Sequence, residues 1–187
     1  MTARLTFIAH AATEAQRQAA FPLDEPVVER EIAKIATLNW TAPRANRVQS
    51  GPELRTRQTS HALKLNAAIS DELRDCDYGA WNGLTMDEVQ LENPDGMVAW
   101  LTDPAAAPHG GESIASLIKR TGSWLEEQRD VAHIIAVTHP AVIRGAIVHA
   151  LQLPLMTFWR FDVAPLSLTD LRFNGRVWSV RCVGCPL

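Results

Sequence analysis

Arg4–His10 reads RLTFIAH and His133–His139 reads HIIAVTH. Each is a short, β-rich apolar run closed by a histidine. Such runs, without polar alternation, predict strands buried on both faces, at Arg4–Ala9 and His133–Thr138. Helical patterns surround them. Ser113–Gln128 carries Ile114, Leu117, Ile118 and Leu125 on one face, and Ala141–Leu151 is a largely apolar helix that Pro154 helps to end. Earlier in the chain, Pro26 opens a helical pattern with Val27, Ile32 and Ile35 on one side. Arg47–Gln49 predicts a strand that stops at the turn Ser50-Gly51-Pro52. Glu53–Leu65 follows as a helix, and Ala68 and Ile69 as another short strand. Alternating strands and helices imply a three-layer α/β/α fold with a mainly parallel central sheet, and the whole chain, residues 1–187, suits one domain. Ligands of such sheets gather at the carboxyl ends of the strands, where both histidines stand.

From Asp77 to His109 the chain is rich in Gly, Pro, Asn and Asp, with one short helix expected near Thr85–Leu91. An irregular insertion of this kind suits a lid over a substrate. The tail, Leu168–Phe173 and Val177–Cys182 about Asn174-Gly175, predicts a hairpin.

Composition narrows the function. With 47% hydrophobic residues, a net charge of −3 and a pI near 6.1, the chain has a core but no global attraction for nucleic acid or anionic membrane. Any anion must be held by a few aimed donors. No apolar run approaches the roughly 18 residues of a membrane helix, and the N-terminus leads straight into a strand, so a soluble cytoplasmic protein is expected. The cysteines number three. Cys182 and Cys185 form C-x-x-C without a second pair to complete a zinc site and without a helix after them, so they are read as ordinary thiols. No metal or cofactor is expected.

Five segments, two of them overlapping these strands, carry a resemblance. Ile8-Ala9-His10-Ala11-Ala12-Thr13 is similar to an R-H-G-x-T opening, and Ser50–Thr59 to S-P-x-x-R-x-x-Q-T with Gly51 as an extra residue. Leu73–Gly83 matches L-x-E-x-x-F-G-x-W-E-G, Gly110–Ser113 matches G-G-E-S, and Val137–Arg144 matches V-S-H-G-G-V-I-R. In this order, over about three-quarters of the chain, they resemble the histidine phosphatase superfamily, the phosphoglycerate mutase-like fold. The resemblance implies a nucleophile at His10 that carries the phosphoryl group as a phosphohistidine, clamped by Arg55 and His139, with Thr13 and Gln16 also at the phosphate. The chemistry suits the residue types: a neutral imidazole is a competent nucleophile, and arginine is a permanent bidentate charge. Arg57, two residues along the same helix, points to another face and is read as solvated. Asp75 stands where the family has a glutamate that protonates the leaving group, a role that requires burial and a nearby anion to raise its pKa. A one-residue register slip would put Asp77 there instead.

The sequence departs from the pattern at three points. Ala9 replaces the arginine before the nucleophile, Ala11 replaces the next glycine, and Pro140 removes a backbone N–H after His139. Arg17 is close enough in sequence to restore the missing charge, or else is simply solvated. His61, His109, His133 and His149 receive no role. The expected function is therefore metal-independent hydrolysis of a phosphomonoester, the substrate being a small phosphorylated metabolite. The segment Asp77–His109 is shorter than the pocket insertions of mutases, which favours water as acceptor. The alternatives are a catalytically weak phosphate-binding module of the same fold and a phosphatase acting on a phosphoprotein.

Overall fold

The computed structural model describes residues 2–187. Six strands form one sheet in the order β3-β2-β4-β1-β5-β6. The strands are β1 (Ala3–Ala9), β2 (Arg47–Ser50), β3 (Ala68–Ile69), β4 (His133–Thr138), β5 (Ser167–Phe173) and β6 (Trp178–Pro186). The first four pair in parallel; β5 joins β1 antiparallel, and β6 pairs antiparallel with β5.

β1 and β4 lie at the centre because they are apolar on both faces. Leu5 and Phe7 of β1, with Ile134 and Ala136 of β4, feed one core cluster; Ile8, Ile135 and Val137 feed the other. The period of two thus divides two adjacent strands between two cores. The first core is closed by α6 (Ile114–Glu127) and α7 (Pro140–Ala150), and the second by α2 (Glu29–Ala36) and α3 (Leu54–Ala62).

The segment after Asp77 is more regular than its composition predicts. It contains α4 (Met86–Glu92), opened by a Thr85/Glu88 capping box, and a helix not expected from the sequence, α5 (Pro94–Thr102). The side chain of Asn93 accepts from Gly96 N–H at 2.9 Å and Pro94 takes the first turn, where its missing N–H costs nothing. Trp81, Met97 and Trp100 are buried, so this segment is built into the core rather than laid over it. The tail hairpin forms, but its second strand extends past Cys182 to Pro186. Register shifts at Asp170 and the left-handed Gly184 (φ 64°) keep both Cys182 and Cys185 within a paired strand.

Candidate active site

The register of the two central strands builds the site. Ala9 of β1 is opposite Thr138 of β4, and His10 N–H continues the ladder to Thr138 O at 2.9 Å. The next residue on each strand is a histidine, and the two rings lie 5.1 Å apart, edge to face.

Their surroundings differ. The Nδ1–H of His10 donates to Ala11 O at 2.8 Å; a carbonyl can only accept, so the lone pair is on Nε2. Burial, then the charges of His139 and Arg55, lowers the His10 pKa to about 3, and the ring is neutral. His139, fully buried, meets two carboxylates. Its Nε2–H donates to Glu53 Oε2 at 2.7 Å, and its Nδ1 is 3.2 Å from Asp75 Oδ2, an ion-pair distance without hydrogen-bond alignment. Burial opposes its charge, but Asp75 and Glu53 outweigh burial and hold its pKa above the usual imidazole value.

Asp75 is also held by Arg55, whose Nη2 donates to Asp75 Oδ2 at 2.7 Å while Nη1 donates to Leu23 O at 2.7 Å. Burial alone would raise the Asp75 pKa; His139 and Arg55 reverse this and place it well below the usual carboxylate range. The acid expected at this position therefore rests as a carboxylate, between two cations. Asp77, the register alternative, is exposed and accepts Gly79 N–H within its own turn, and it has no part in this pairing. The loop bearing Asp75 is tied to α6 by Arg120. That guanidinium pairs with Glu112 through two bonds of 2.9 and 2.7 Å and donates to the carbonyls of Glu72, Arg74 and Asp75. Glu53 adds another tie, accepting Asp75 N–H at 2.9 Å. Gly51, the extra residue of the second motif, now has a reason. A Cβ there would lie 2.9 Å from Glu53 Oε2 and 3.2 Å from His139 Nε2, pressing into their contact.

A cavity of about 200 Å³ opens in front of His10 and Asp75. Gln16, Pro140 and Ala141 border it, Phe21, Tyr78 and Trp100 form an aromatic wall, and Arg144 also lines it. Gln16 accepts Thr13 N–H through its carboxamide oxygen at 3.4 Å, which leaves its NH2 for a ligand. Thr13 itself is buried as the cap of α1 (Glu14–Arg17), so its hydroxyl serves that helix rather than the cavity. Pro140 is the first residue of α7, and no helix supplies acceptors for its earliest amides, so those of Ala141 and Val142 remain for an anion. Ala11 N–H is taken by Thr59 Oγ1 at 3.0 Å, and Ala9 is packed in the core.

The expectation for Arg17 does not hold in this geometry. Its guanidinium turns outward to Glu14 at 3.2 Å, both side chains about half exposed, and it does not line the cavity. The arginine that does line it is Arg144, quoted in a motif but given no role. Glu53, in sequence only the start of a helix, here joins His139 and the Asp75 loop. No group of three or more His, Cys, Asp or Glu side chains among the described residues is placed to hold a metal ion.

Comparison with known proteins accounts for this arrangement. The family model described as histidine phosphatase superfamily (branch 1) matches residues 5–186. The chain belongs to the histidine phosphatase superfamily. Among curated relatives of this superfamily chain, phosphoserine phosphatase 1 of Hydrogenobacter thermophilus is 28% identical over 165 residues, covering 82% of this chain and 78% of that protein. A bifunctional protein of Mycobacterium tuberculosis is 30% identical over 129 residues, 66% of this chain; the match spans only 35% of that longer protein. Among solved structures, a putative alpha-ribazole-5'-P phosphatase from Escherichia coli has a TM-score of 0.85 at 21% identity, with 99% of this chain and 98% of that one covered. Mycobacterial glucosyl-3-phosphoglycerate phosphatase complexed with VO3 gives 0.82 at 22% identity, with 98% and 99% covered. These two likenesses establish the fold.

Proposed function

We propose that the protein hydrolyses a small phosphomonoester without metal, through a phosphohistidine at His10. One observation carries this reading: a neutral imidazole, its Nδ1–H fixed to Ala11 O and its Nε2 lone pair free, lines a cavity together with Asp75, and the cations His139 and Arg55 are buried directly behind that carboxylate. The names of the curated relatives, phosphoserine phosphatase and glucosyl-3-phosphoglycerate phosphatase among them, are those of enzymes acting on small phosphate esters.

In this mechanism the phosphate dianion of the substrate competes with Asp75 for Arg55 and His139. As that pairing weakens, the Asp75 pKa rises and the carboxylate takes up a proton from solvent, while His139 keeps its charge at the phosphate. His10 Nε2 attacks phosphorus, the ester P–O bond breaks, and Asp75 passes the proton to the departing oxygen. Water then attacks phosphorus, the N–P bond breaks, and Asp75 accepts the water's proton and releases it to solvent as phosphate leaves with His10 neutral again. The test is hydrolysis of p-nitrophenyl phosphate in excess chelator, with acid quenching to trap a labelled phosphohistidine. His10→Ala is expected to lose turnover by about 10⁴-fold or more and to lose the label. Full activity of that variant would reject the mechanism.

A second reading, a binding module with little turnover, draws on Ala9 and on the engagement of both Arg55 terminal nitrogens by Asp75 and Leu23. Calorimetric binding of phosphate with neither turnover nor trapped label would favour it.

A further inference from the structure

Arg144 is the one charged group lining the cavity that the proposed hydrolysis does not use. It lies on α7, five residues beyond His139, so its backbone is more than a helical turn, about 7.5 Å, further along the axis. Its Nε donates to Phe161 O at 2.8 Å, and its guanidinium carbon is 5.9 Å from the centre of the Phe158 ring. That bond and the ring hold the stem. The two terminal nitrogens have no hydrogen-bond or ion-pair partner among the described residues. A half-buried arginine of this kind, at a cavity wall, is a receptor for an anion.

The position along the cavity decides which anion. His10 stands at the strand ends beside His139, whereas Arg144 lies over Phe158, whose ring meets Trp159 at 4.9 Å and, through it, the cavity-wall ring of Trp100 at 4.6 Å. Tyr78 lines the same wall, its ring 5.1 Å from Phe21 and 6.3 Å from Trp100. The phosphoryl end already has His139, Arg55 and the opening amides of α7. Arg144 faces the other end, where the leaving group must lie. Between them are the rings of Phe21, Tyr78 and Trp100, and a volume near 200 Å³, which suits a phosphoryl group with a few carbons rather than a nucleotide or an oligosaccharide.

We infer that Arg144 is a specificity-determining residue that binds a carboxylate on the leaving-group half of the substrate, so that the preferred substrates are phosphate esters of small hydroxy acids. This rests on the hydrolase reading for its kinetics, but not for its binding. The fork of a guanidinium matches a carboxylate with two parallel bonds, and among the described residues no acid is in ion-pair contact with it, Asp162 acting only at longer range.

Matched pairs of esters that differ by the carboxylate test the inference: O-phosphoserine against O-phosphoethanolamine, and 3-phosphoglycerate against glycerol 3-phosphate. The wild-type protein is expected to prefer the acid of each pair in kcat/KM. Arg144→Gln should cut kcat/KM for the acids about 10- to 100-fold more than for their partners, mainly through KM. Arg144→Lys, which keeps the charge but not the fork, should retain part of the preference and guards against a folding defect in the first variant. Equal losses on both members of each pair, or a wild type indifferent to the carboxylate, would overturn the assignment. If the wild type turns over none of these esters, the hydrolase reading fails, and calorimetry with the same pairs still decides: a preference for the acids that Arg144→Gln erases supports the subsite, and its absence rejects it.

Discussion

The ends of β1 and β4 invite comparison, for they are adjacent, parallel and alike in ending on a histidine, yet those histidines are opposites. His10 meets a carbonyl and cations and is neutral; His139 meets two carboxylates and is charged. The strands place the rings, and loops from elsewhere in the chain set their protonation. Asp75 and Glu53, from segments flanking β2 and β3, are the residues that make the difference. A nucleophile next to its own phosphate clamp is obtained from two identical side chains by supplying only one of them with anions.

The largest break in this asymmetry should come from Asp75→Asn. Turnover of p-nitrophenyl phosphate is expected to fall about 10³-fold, the scale of a lost general acid. Phosphate affinity, measured by calorimetry, should rise at the same time, because Arg55 no longer has a carboxylate to satisfy. Unchanged turnover would show that the proton takes another route.

Stability against pH should separate the two rings next. The folded pKa of His10 lies below its unfolded value of 6.5, so below pH 6.5 the unfolded chain binds a proton that the folded one refuses; stability falls from there down to about pH 3. His139 has a raised folded pKa, so its contribution grows as pH falls through that value and is complete below 6.5. Between pH 6.5 and 5 the His10 effect is about 2 kcal/mol, from a proton excluded over roughly 1.5 pH units. Denaturant titrations of His10→Gln should therefore show a flatter acid dependence than wild type; parallel curves would mean that His10 is protonated in the fold.

A smaller effect is expected from Glu53→Gln. With one anion gone, the His139 pKa drops and the alkaline limb of kcat/KM moves to lower pH. A shift of one unit lowers the rate about 10-fold on the alkaline side and leaves the acid side less affected. A uniform loss at every pH would point to misplacement of the ring instead. The smallest change belongs to Arg17→Ala, an exposed pair with Glu14, which should alter kcat/KM by less than about twofold. A loss near 100-fold would restore Arg17 to the phosphate.

Legibility in the sequence followed the same division between strands and loops. β1 and β4 were readable because short apolar runs have few alternatives, and α6 because its apolar face repeats at helical spacing. Helix α5 was obscured by Pro94 and Gly96, which are breakers in composition but a first turn and a capped amide in place. His10, Arg55, Asp75 and His139 come together as their motifs implied. Their ionic states were not readable, since the Asp75 charge depends on Arg55 and His139, two partners distant in sequence. Glu53 gave no signal except an acid beside a motif arginine. Arg144 gave one that went unused: a lone charge in the apolar helix after His139. Arg17 misled because sequence proximity to His10 says nothing of direction, and the four-residue helix α1 carries it outward.

The pairing of β1 with β4 also has a kinetic meaning. The two strands come from opposite halves of the chain, so their contact is among the costliest in loop entropy to form, and non-local pairing of this type is slow. A partly folded chain with its helices and tail hairpin in place, but with its two middle strands apart, would have each histidine without the other. Recovery of catalysis during refolding would then time the closing of the centre of the sheet, whereas far-ultraviolet ellipticity would respond earlier, to the helices.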